Sequence, residues 1–254
     1  MVEVGAPSDW RCIDFISDLH LAEDTPLTFA AWRAYLLGTD ADAVFILGDL
    51  FEAWVGDDSR FGGFEARAAE VLRTAAARRP LAFMVGNRDF LLGEAMLDDC
   101  GMRALPDPCV LRAFDQRVLL THGDAWCLAD IEYQQIRRQV RDPAWQAQVL
   151  AQPLDLRRKI AGSFRAESER RAAGHRGEWA DVDVATALQA LHEARATTLI
   201  HGHTHRPGTS TLAPGSVRHV LSDWDLDHGA RAEVLRWQEG RWHRLAPAAA
   251  TATT

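Results

Sequence analysis

The sequence has few cysteines, no long apolar run and no excess of basic charge. Its four cysteines lie in different segments without a CxxC pair, which argues against a disulfide framework and indicates a reduced, cytoplasmic protein. No run approaches the ~20 apolar residues of a membrane-spanning helix, so any membrane contact is expected to be peripheral. The N-terminus has no basic start and no apolar stretch, so we expect no signal peptide. The net charge of −8 argues against a protein that coats nucleic acid.

The chain is long enough for a substantial core, with 254 residues of which 47% are hydrophobic. Short apolar runs end abruptly in polar residues, namely CIDFI, AVFIL, LAFMV, RVLLT and TTLI. Such runs are typical of strands covered on both faces. Helical patterns, one starting at Thr25-Pro26 and one over residues 65–79, alternate with them. This order predicts an α/β fold, in which VRHVL, AEVLRW and WHRLA are antiparallel strands that complete a second sheet.

One stretch differs from the rest of the chain. Its apolar residues recur at helical spacing, and Pro143 and Pro153 divide it into short helices. Residues 137–171 hold nine Lys/Arg and four Asp/Glu, although the whole chain is acidic. This reversal predicts a helical insertion that faces something anionic, and a solvated helical hairpin is the alternative. The predicted division is a core, a helical insertion and a disordered tail, at residues 1–130 with 177–246, 131–176 and 247–254.

Polar side chains of metal-binding types follow the apolar runs, namely Asp18, His20, Asp49, Asn87, His122, His203 and His205. Ligands bind beyond the carboxyl ends of strands in open α/β sheets, so we expect these seven groups to meet. Carboxylate, imidazole and amide oxygen without thiolate suit Mn²⁺, Fe²⁺ or Zn²⁺. Seven ligands are too many for one tetrahedral ion. The set therefore predicts two metal ions about 3.5–4 Å apart, an arrangement that serves in-line phosphoryl displacement.

Each motif taken alone has a structural alternative. Asp18 can cap the next helix, and Gly48-Asp49 and Gly86-Asn87 are ordinary turn dipeptides. His122 can be a hydrogen-bonded core histidine. The order DxH, GD, GN, HGD and GHTH, each after an apolar run, favours the joint metal site.

These motifs resemble the pattern of the calcineurin-like metallophosphoesterases, which is D-x-H, G-D, G-N-H, H and G-H-x-H. The resemblance runs from Ile13 to Pro207 and implies an α/β fold, a four-layer αββα sandwich with a di-metal site. It implies two ligand groups bridged by Asp49, namely Asp18, His20 and His205 for one metal and Asn87, His122 and His203 for the other. The third histidine of the segment LIHGHTHRP, His201, is expected to have a supporting or structural role.

One departure from the family pattern concerns the leaving group. Where the family has GNH, this chain reads GNRDF, and the guanidinium of Arg88 cannot give up a proton. It can bind developing phosphate charge through two parallel hydrogen bonds. A phosphate leaving group needs such charge compensation more than it needs a proton, so Arg88 indicates cleavage of a pyrophosphate. Asp89 is expected to orient Arg88 or a metal-bound histidine.

Longer strings, including FISDLHL, ILGDLFEAWVGDD, GNRDFLLG and RRKIAGSFRAES, resemble the metallophosphoesterases that hydrolyse UDP-2,3-diacylglucosamine in lipid A biosynthesis. This closer resemblance implies two Mn²⁺ ions per chain and a UDP-linked diacylated glucosamine lipid as substrate. The products are then UMP and 2,3-diacylglucosamine 1-phosphate. It also implies a peripheral location on the cytoplasmic face of the inner membrane, where basic residues of the insertion meet the anionic surface. No protein partner and no nucleic acid are expected.

The resemblance also implies functional residues, position by position. Catalytic roles fall on Asp49, Asn87, Arg88, His122 and His203. Substrate contacts fall on Asn87, Arg88, Asp130, Tyr133, Arg165, Ser168, Ala172, His175 and His203. Relatives have a polar amide where this chain has Ala172 and a lysine where it has His175. We therefore expect a backbone contact from Ala172 and a weaker, pH-dependent contact from His175. Helix capping is the alternative for Asp130 and Ser168.

The expected mechanism is in-line attack of metal-activated water on the α-phosphorus, without a covalent enzyme intermediate. The alternative enzyme function is a metallophosphoesterase for another nucleotide or phosphodiester. Arg88 and the amphipathic insertion count against it. A catalytically silent scaffold is the alternative from another class, and the presence of all seven candidate ligands counts against that.

Overall fold

A computed structural model describes residues 1–163 and 180–251. In chain order the strands are β1 (Val2–Gly5), β2 (Cys12–Ile16), β3 (Ala43–Leu47), β4 (Leu81–Met84), β5 (Met102–Ala104), β6 (Cys109–Ala113), β7 (Gln116–Leu120), β8 (Thr198–His201), β9 (Gly208–Ala213), β10 (Ser216–Val220), β11 (Val234–Gln238) and β12 (Arg241–Leu245). The helices are α1 (Pro26–Gly38), α2 (Gly63–Ala76), α3 (Glu94–Cys100), α4 (Ile131–Val140), α5 (Pro143–Leu150), α6 (described over 154–163) and α7 (Val184–Ala194).

The strands form two six-stranded sheets, one in the order β12-β11-β2-β3-β4-β5 and the other in the order β1-β6-β7-β8-β10-β9. Neighbours β2, β3 and β4 are parallel in the first sheet, and β7 and β8 are parallel in the second. Parallel strands place their carboxyl ends at one edge of a sheet. The loops after these five strands are the ones that carry the predicted metal ligands.

Three apolar layers separate four layers of structure. Along the buried strand β3, Val44 and Ile46 pack with Trp32 of α1 and Leu72 of α2. The intervening Phe45 and Leu47 face the second sheet, because successive side chains of a strand point to opposite faces. On the far side of the second sheet, side chains of α7 pack on β7 and β8. The architecture is therefore the predicted αββα sandwich, with helices outside both sheets.

Several elements differ from the sequence prediction. The three C-terminal runs do not share one sheet. VRHVL corresponds to β10, which pairs parallel with β8 and antiparallel with β9. The other two runs correspond to β11 and β12, which pair antiparallel with each other, and β11 pairs antiparallel with β2 in the other sheet. Strands β1, β5, β6 and β9 were not predicted. Of these, β1 and β5 have only four and three residues, and β9 is mostly polar. Capping of α1 is also non-local, because the Asp227 carboxylate accepts hydrogen bonds from Leu27 N and Thr28 N.

Residues 247–251 are ordered, although a disordered tail was predicted for 247–254. Pro247–Ala250 form a 3-10 helix, and Ala250 is fully buried. The main-chain oxygen of Ala250 accepts a hydrogen bond of 2.8 Å from buried Arg236. The prediction for 247–254 is therefore wrong for residues 247–251. The sequence could not show it, because the partner arginine belongs to β11.

The described part of the helical insertion consists of α4, α5 and α6, while residues 164–179 lie outside the described residues. The predicted domain boundaries at 130 and 177 stay a prediction. Among the residues that the structure describes, no helix combines the length and apolar character needed to cross a membrane.

Candidate metal centre

The structure brings the seven predicted ligands together at one edge of the two sheets. They lie in the loops that follow β2, β3, β4, β7 and β8. His20 Nε2 and His205 Nε2 are 3.2 Å apart, and Asp18 Oδ1 is 3.4 Å from His205 Nε2. These three residues form one group within metal-binding reach of each other.

The second group surrounds the amide oxygen of Asn87. This oxygen is 2.9 Å from His122 Nε2 and 2.7 Å from His203 Nδ1. Asp49 connects the two groups, because its carboxylate lies close to the carboxylate of Asp18 and to a ring nitrogen of His122. Asp49 therefore lies between the two groups, and their assignment to two metal ions stays a prediction.

The hydrogen-bonding pattern shows that these atoms fit cations. His122 Nδ1 donates to Leu47 O at 2.9 Å, so Nε2 of the neutral ring carries a lone pair. That lone pair faces the amide oxygen of Asn87, which is also an acceptor. At this distance the two atoms need a positive charge against them, either a proton on Nε2, which the carboxylates around this ring favour, or a metal ion in its place. The donor set of carboxylate, imidazole and amide oxygen suits Mn²⁺, Fe²⁺ or Zn²⁺.

The backbone at the centre adopts a conformation that ordinary residues avoid. Among the described residues, nine residues other than glycine have positive φ, and five of them are predicted ligands. Their φ values are 53° for Asp18, 48° for His20, 52° for Asp49, 64° for His203 and 51° for His205. Such left-handed conformations persist only where the surroundings hold them, and they cluster at functional sites.

Two glycines of the motifs are explained by close contact with carboxylates. A Cβ atom on Gly86 would lie 2.1 Å from Asp49 Oδ1, and one on Gly202 would lie 2.2 Å from Asp18 Oδ2. The GN and GH dipeptides therefore need glycine because the loop backbones pack directly on the two central carboxylates.

Electrostatics at the centre are dominated by buried carboxylates. Burial would lower the pKa of His122, but the charges of Asp49, Asp18 and Asp124 outweigh it and raise this pKa to about 9. Burial, together with the charge of Asp49, raises the pKa of Asp89 to about 6. The concentration of negative charge is what a site for divalent cations requires.

Asp89 has a different role from the predicted one. Its fully buried carboxylate accepts hydrogen bonds from Leu50 N at 2.8 Å and from Gly86 N at 2.7 Å. It therefore connects the loop of Asp49 to the loop of Asn87 instead of orienting Arg88. His201 lies beside the ligand set with its ring fully buried and Nδ1 2.8 Å from Gly202 O, so its role is structural.

Glu52 is a functional candidate that the sequence prediction missed. Its Oε2 lies 3.0 Å from His20 Nδ1, and its Oε1 lies 3.3 Å from the Arg88 guanidinium. Carboxylates in contact with the second nitrogen of a metal-binding imidazole orient the ring and make it more basic. The sequence feature that could have identified Glu52 is its position three residues after Asp49, in GDLFE. Asp223, whose Oδ2 is 3.8 Å from His205 Nδ1, was missed as well.

Replacing Glu52 with Gln is expected to weaken metal affinity about 10- to 100-fold, because His20 loses the carboxylate that orients it. The affinity is measured by titrating the metal-free chain with Mn²⁺ against a chelator of known affinity. The matched control is Glu23→Gln, since Glu23 is exposed and pairs with Arg67 on the surface. Equal affinities in both variants would show that Glu52 does not support His20.

A cavity of about 440 Å³ extends from the ligand set to the helical insertion. One end is polar and is lined by His20, Asp49, Asn87, Arg88, His203 and His205. The other end lies under α4, α5 and α6 and is apolar, lined by Ile136, Val140, Trp145, Val149 and Ile160. The cavity therefore offers an apolar chamber beside the candidate metal centre.

The predicted substrate contacts fall into two classes. Those that line the cavity are Asn87, Arg88, Asp130, Tyr133 and His203. Asp130 also caps α4, because its Oδ1 accepts from Tyr133 N at 2.9 Å, which is the alternative that the sequence left open. The others lie outside the described residues, namely Arg165, Ser168, Ala172 and His175.

Three arginines of the insertion, which was predicted to face something anionic, point inward to groups of the core. Arg137 Nε donates to Asp124 Oδ2 at 2.8 Å, and Arg141 Nη2 donates to Gly86 O at 2.9 Å. Arg157 is buried and binds Asp58 and Val55 O. Part of the positive charge of the insertion is therefore neutralised within the fold.

Comparison with known proteins gives consistent matches. A family model described as calcineurin-like phosphoesterase matches residues 13–207. A protein of Chromobacterium violaceum named UDP-2,3-diacylglucosamine hydrolase is 44% identical over 236 residues, covering 90% of this chain and 95% of that protein. A protein of the same name from Stenotrophomonas maltophilia is 43% identical over 240 residues, with the same shares covered. Among solved structures, an archaeal phosphodiesterase covers 92% of this chain and 98% of its own at 11% identity, with a TM-score of 0.47.

Proposed function

The chain belongs to the calcineurin-like phosphoesterase family, and from this premise we propose that it hydrolyses UDP-2,3-diacylglucosamine to UMP and 2,3-diacylglucosamine 1-phosphate in lipid A biosynthesis. The observation that carries the proposal is the cavity, whose polar end holds the candidate ligands and Arg88 and whose other end is lined by apolar side chains of the insertion. A nucleotide or a simple phosphodiester would leave the apolar end without an occupant. A diphosphate bearing acyl chains fills both ends.

For the cofactor, we propose two Mn²⁺ ions per chain. Asp18, His20 and His205 would hold one ion, Asn87, His122 and His203 would hold the other, and the carboxylate of Asp49 would be available to both. When bound, divalent ions lower the pKa of water and neutralise phosphate charge. The support from this chain is the set of acceptor atoms that face one another at 2.7–3.2 Å.

The side chains around the metals have distinct tasks in the proposed reaction. Water adds to the α-phosphorus, the bond from this phosphorus to the bridging oxygen breaks, and the lipid 1-phosphate departs with that oxygen. The Arg88 guanidinium, at the cavity wall, compensates the charge that grows on the departing phosphate. The amide of Asn87 and the ring of His203 orient the phosphate, and the apolar walls exclude bulk water from it.

For the location, we propose peripheral contact with the anionic cytoplasmic face of the inner membrane, where a diacylated substrate resides. Large apolar side chains of the insertion are exposed, namely Ile131, Leu150 and Leu156. Sedimentation with vesicles tests the proposal. Binding that is lost in an Ile131→Ser, Leu156→Ser variant supports it, and absence of the wild-type chain from anionic vesicles contradicts it.

The substrate is tested with three compounds that share the metal centre but differ in the rest of the molecule. We expect kcat/KM to be highest for UDP-2,3-diacylglucosamine, lower for UDP-glucosamine without acyl chains, and lowest for bis(p-nitrophenyl) phosphate. Removing the acyl chains gives up the apolar contacts that hold the substrate in place. Preference for either compound without acyl chains would replace this proposal by a nucleotide or diester phosphoesterase.

A further inference from the structure

Asp124 lies two residues after His122, and its side chain is fully buried. Its Oδ2 accepts a hydrogen bond of 2.7 Å from the Tyr133 hydroxyl and one of 2.8 Å from Arg137 Nε. Its main-chain oxygen accepts a third, of 2.8 Å, from Gln134 Nε2. All three donors belong to α4, the first helix of the insertion. A single residue of the His122 loop thus binds one face of this helix.

The same helix contacts two other ligand loops. The Tyr133 ring lies 5.5 Å from the His203 ring, measured between centroids. At the other end of α4, Arg141 donates to Gly86 O next to Asn87. The helix is therefore attached to the loops of His122, His203 and Asn87. Its attachment is mainly polar, since Val140 is the one residue of α4 that is buried.

We propose that Asp124 is a positioning residue that holds α4 over the metal centre, so that the apolar end of the cavity stays aligned with the phosphate end. The inference rests on the proposed function, because the alignment affects binding only of a substrate that occupies both ends of the cavity. A small diester occupies the phosphate end alone. Loss of the Asp124 contacts therefore affects the acylated substrate and spares the small one.

The strongest of these contacts is the ion pair between Arg137 and Asp124. Hydrogen bonds between a guanidinium and a carboxylate are about twice as strong as neutral ones, and the carboxylate of this pair is shielded from water. Removing one partner also leaves the other buried group without compensation. We expect Arg137→Met to raise KM for UDP-2,3-diacylglucosamine about tenfold while kcat falls less than threefold.

Arg137→Met and Arg138→Met form a matched pair, since Arg138 is the exposed neighbour on the same helix. Asp124→Asn is the reciprocal variant and is assayed at saturating Mn²⁺. In Arg137→Met and Asp124→Asn, we expect kcat/KM for bis(p-nitrophenyl) phosphate to stay within twofold of wild type and the bound metal to stay unchanged. Arg138→Met should match wild type on both substrates. An equal fall on both substrates, or no change on either, overturns the inference.

The positioning role of Asp124 can also be tested without substrate, by measuring amide hydrogen exchange in α4. We expect the amides of residues 131–140 to exchange faster in Arg137→Met and Asp124→Asn than in Arg138→Met, with the sheets unchanged. Equal exchange in all three overturns the inference. If the wild-type chain cleaves the diester but not UDP-2,3-diacylglucosamine, the proposed function fails, and faster exchange in α4 would still support the attachment through Asp124.

Discussion

Replacing Asp49 with Ala is expected to lower kcat/KM by at least about 10³-fold, the largest effect of any single substitution considered for this chain. The carboxylate of Asp49 lies between the two ligand groups and accepts a hydrogen bond of 2.8 Å from Arg88 N. Its removal would take a ligand from both proposed metal sites and release the loop that presents Arg88. The measurement combines steady-state kinetics with metal content by mass spectrometry, and we expect the variant to retain less than the wild-type amount of metal.

The control for this variant is Asp98→Ala, an exposed carboxylate on α3. It should keep wild-type activity and metal content. Circular dichroism and thermal unfolding of the metal-free chains establish that Asp49→Ala is folded. A folded Asp49→Ala chain with unchanged kcat would contradict the assignment of Asp49 as the shared ligand.

Replacing Arg88 with Ala is expected to lower kcat about 10²- to 10³-fold without loss of metal, the range measured when one group that stabilises a developing charge is removed. The side chain lines the cavity beside Asn87 and contacts Glu52 at 3.3 Å. The metal should stay, because Arg88 contacts Asp49 through its backbone N–H, which the substitution keeps. Kinetics with UDP-2,3-diacylglucosamine and a metal assay on the same sample check both parts.

The conservative variant Arg88→Lys separates charge from geometry. Lysine keeps the positive charge but cannot make two parallel hydrogen bonds to a phosphate. We therefore expect it to recover only a small part of the lost kcat. Full recovery by lysine would show that a point charge suffices, and an effect on KM alone would show that Arg88 binds the ground state and the transition state equally.

Much of the fold and the ligand set could be predicted from local patterns. The runs CIDFI, AVFIL and LAFMV are buried on both faces, so they identify parallel strands, and each is followed at once by a polar loop. The parallel arrangement of β2, β3 and β4 then brings Asp18, Asp49 and Asn87 to one edge. No knowledge of distant contacts is needed for that step, because a strand's carboxyl end is visible in the sequence.

The remaining features depend on partners that are distant in the sequence. The arginines of the insertion were expected to face an external anion, but Arg137 and Arg157 pair with Asp124 and Asp58 of the core. A count of charges shows how many arginines a segment has and not which side of a helix meets a buried carboxylate. The supporting role of Glu52 has the same origin, since its contacts with His20 and Arg88 form only when three loops come together.

The proposed reaction is tested most directly by hydrolysing UDP-2,3-diacylglucosamine with the purified, Mn²⁺-loaded chain in ¹⁸O-labelled water and weighing both products by mass spectrometry. Attack on the α-phosphorus from the metal centre predicts one labelled oxygen in UMP and none in 2,3-diacylglucosamine 1-phosphate. Label in the lipid phosphate alone would place the attack on the other phosphorus, and absence of either product would exclude this substrate.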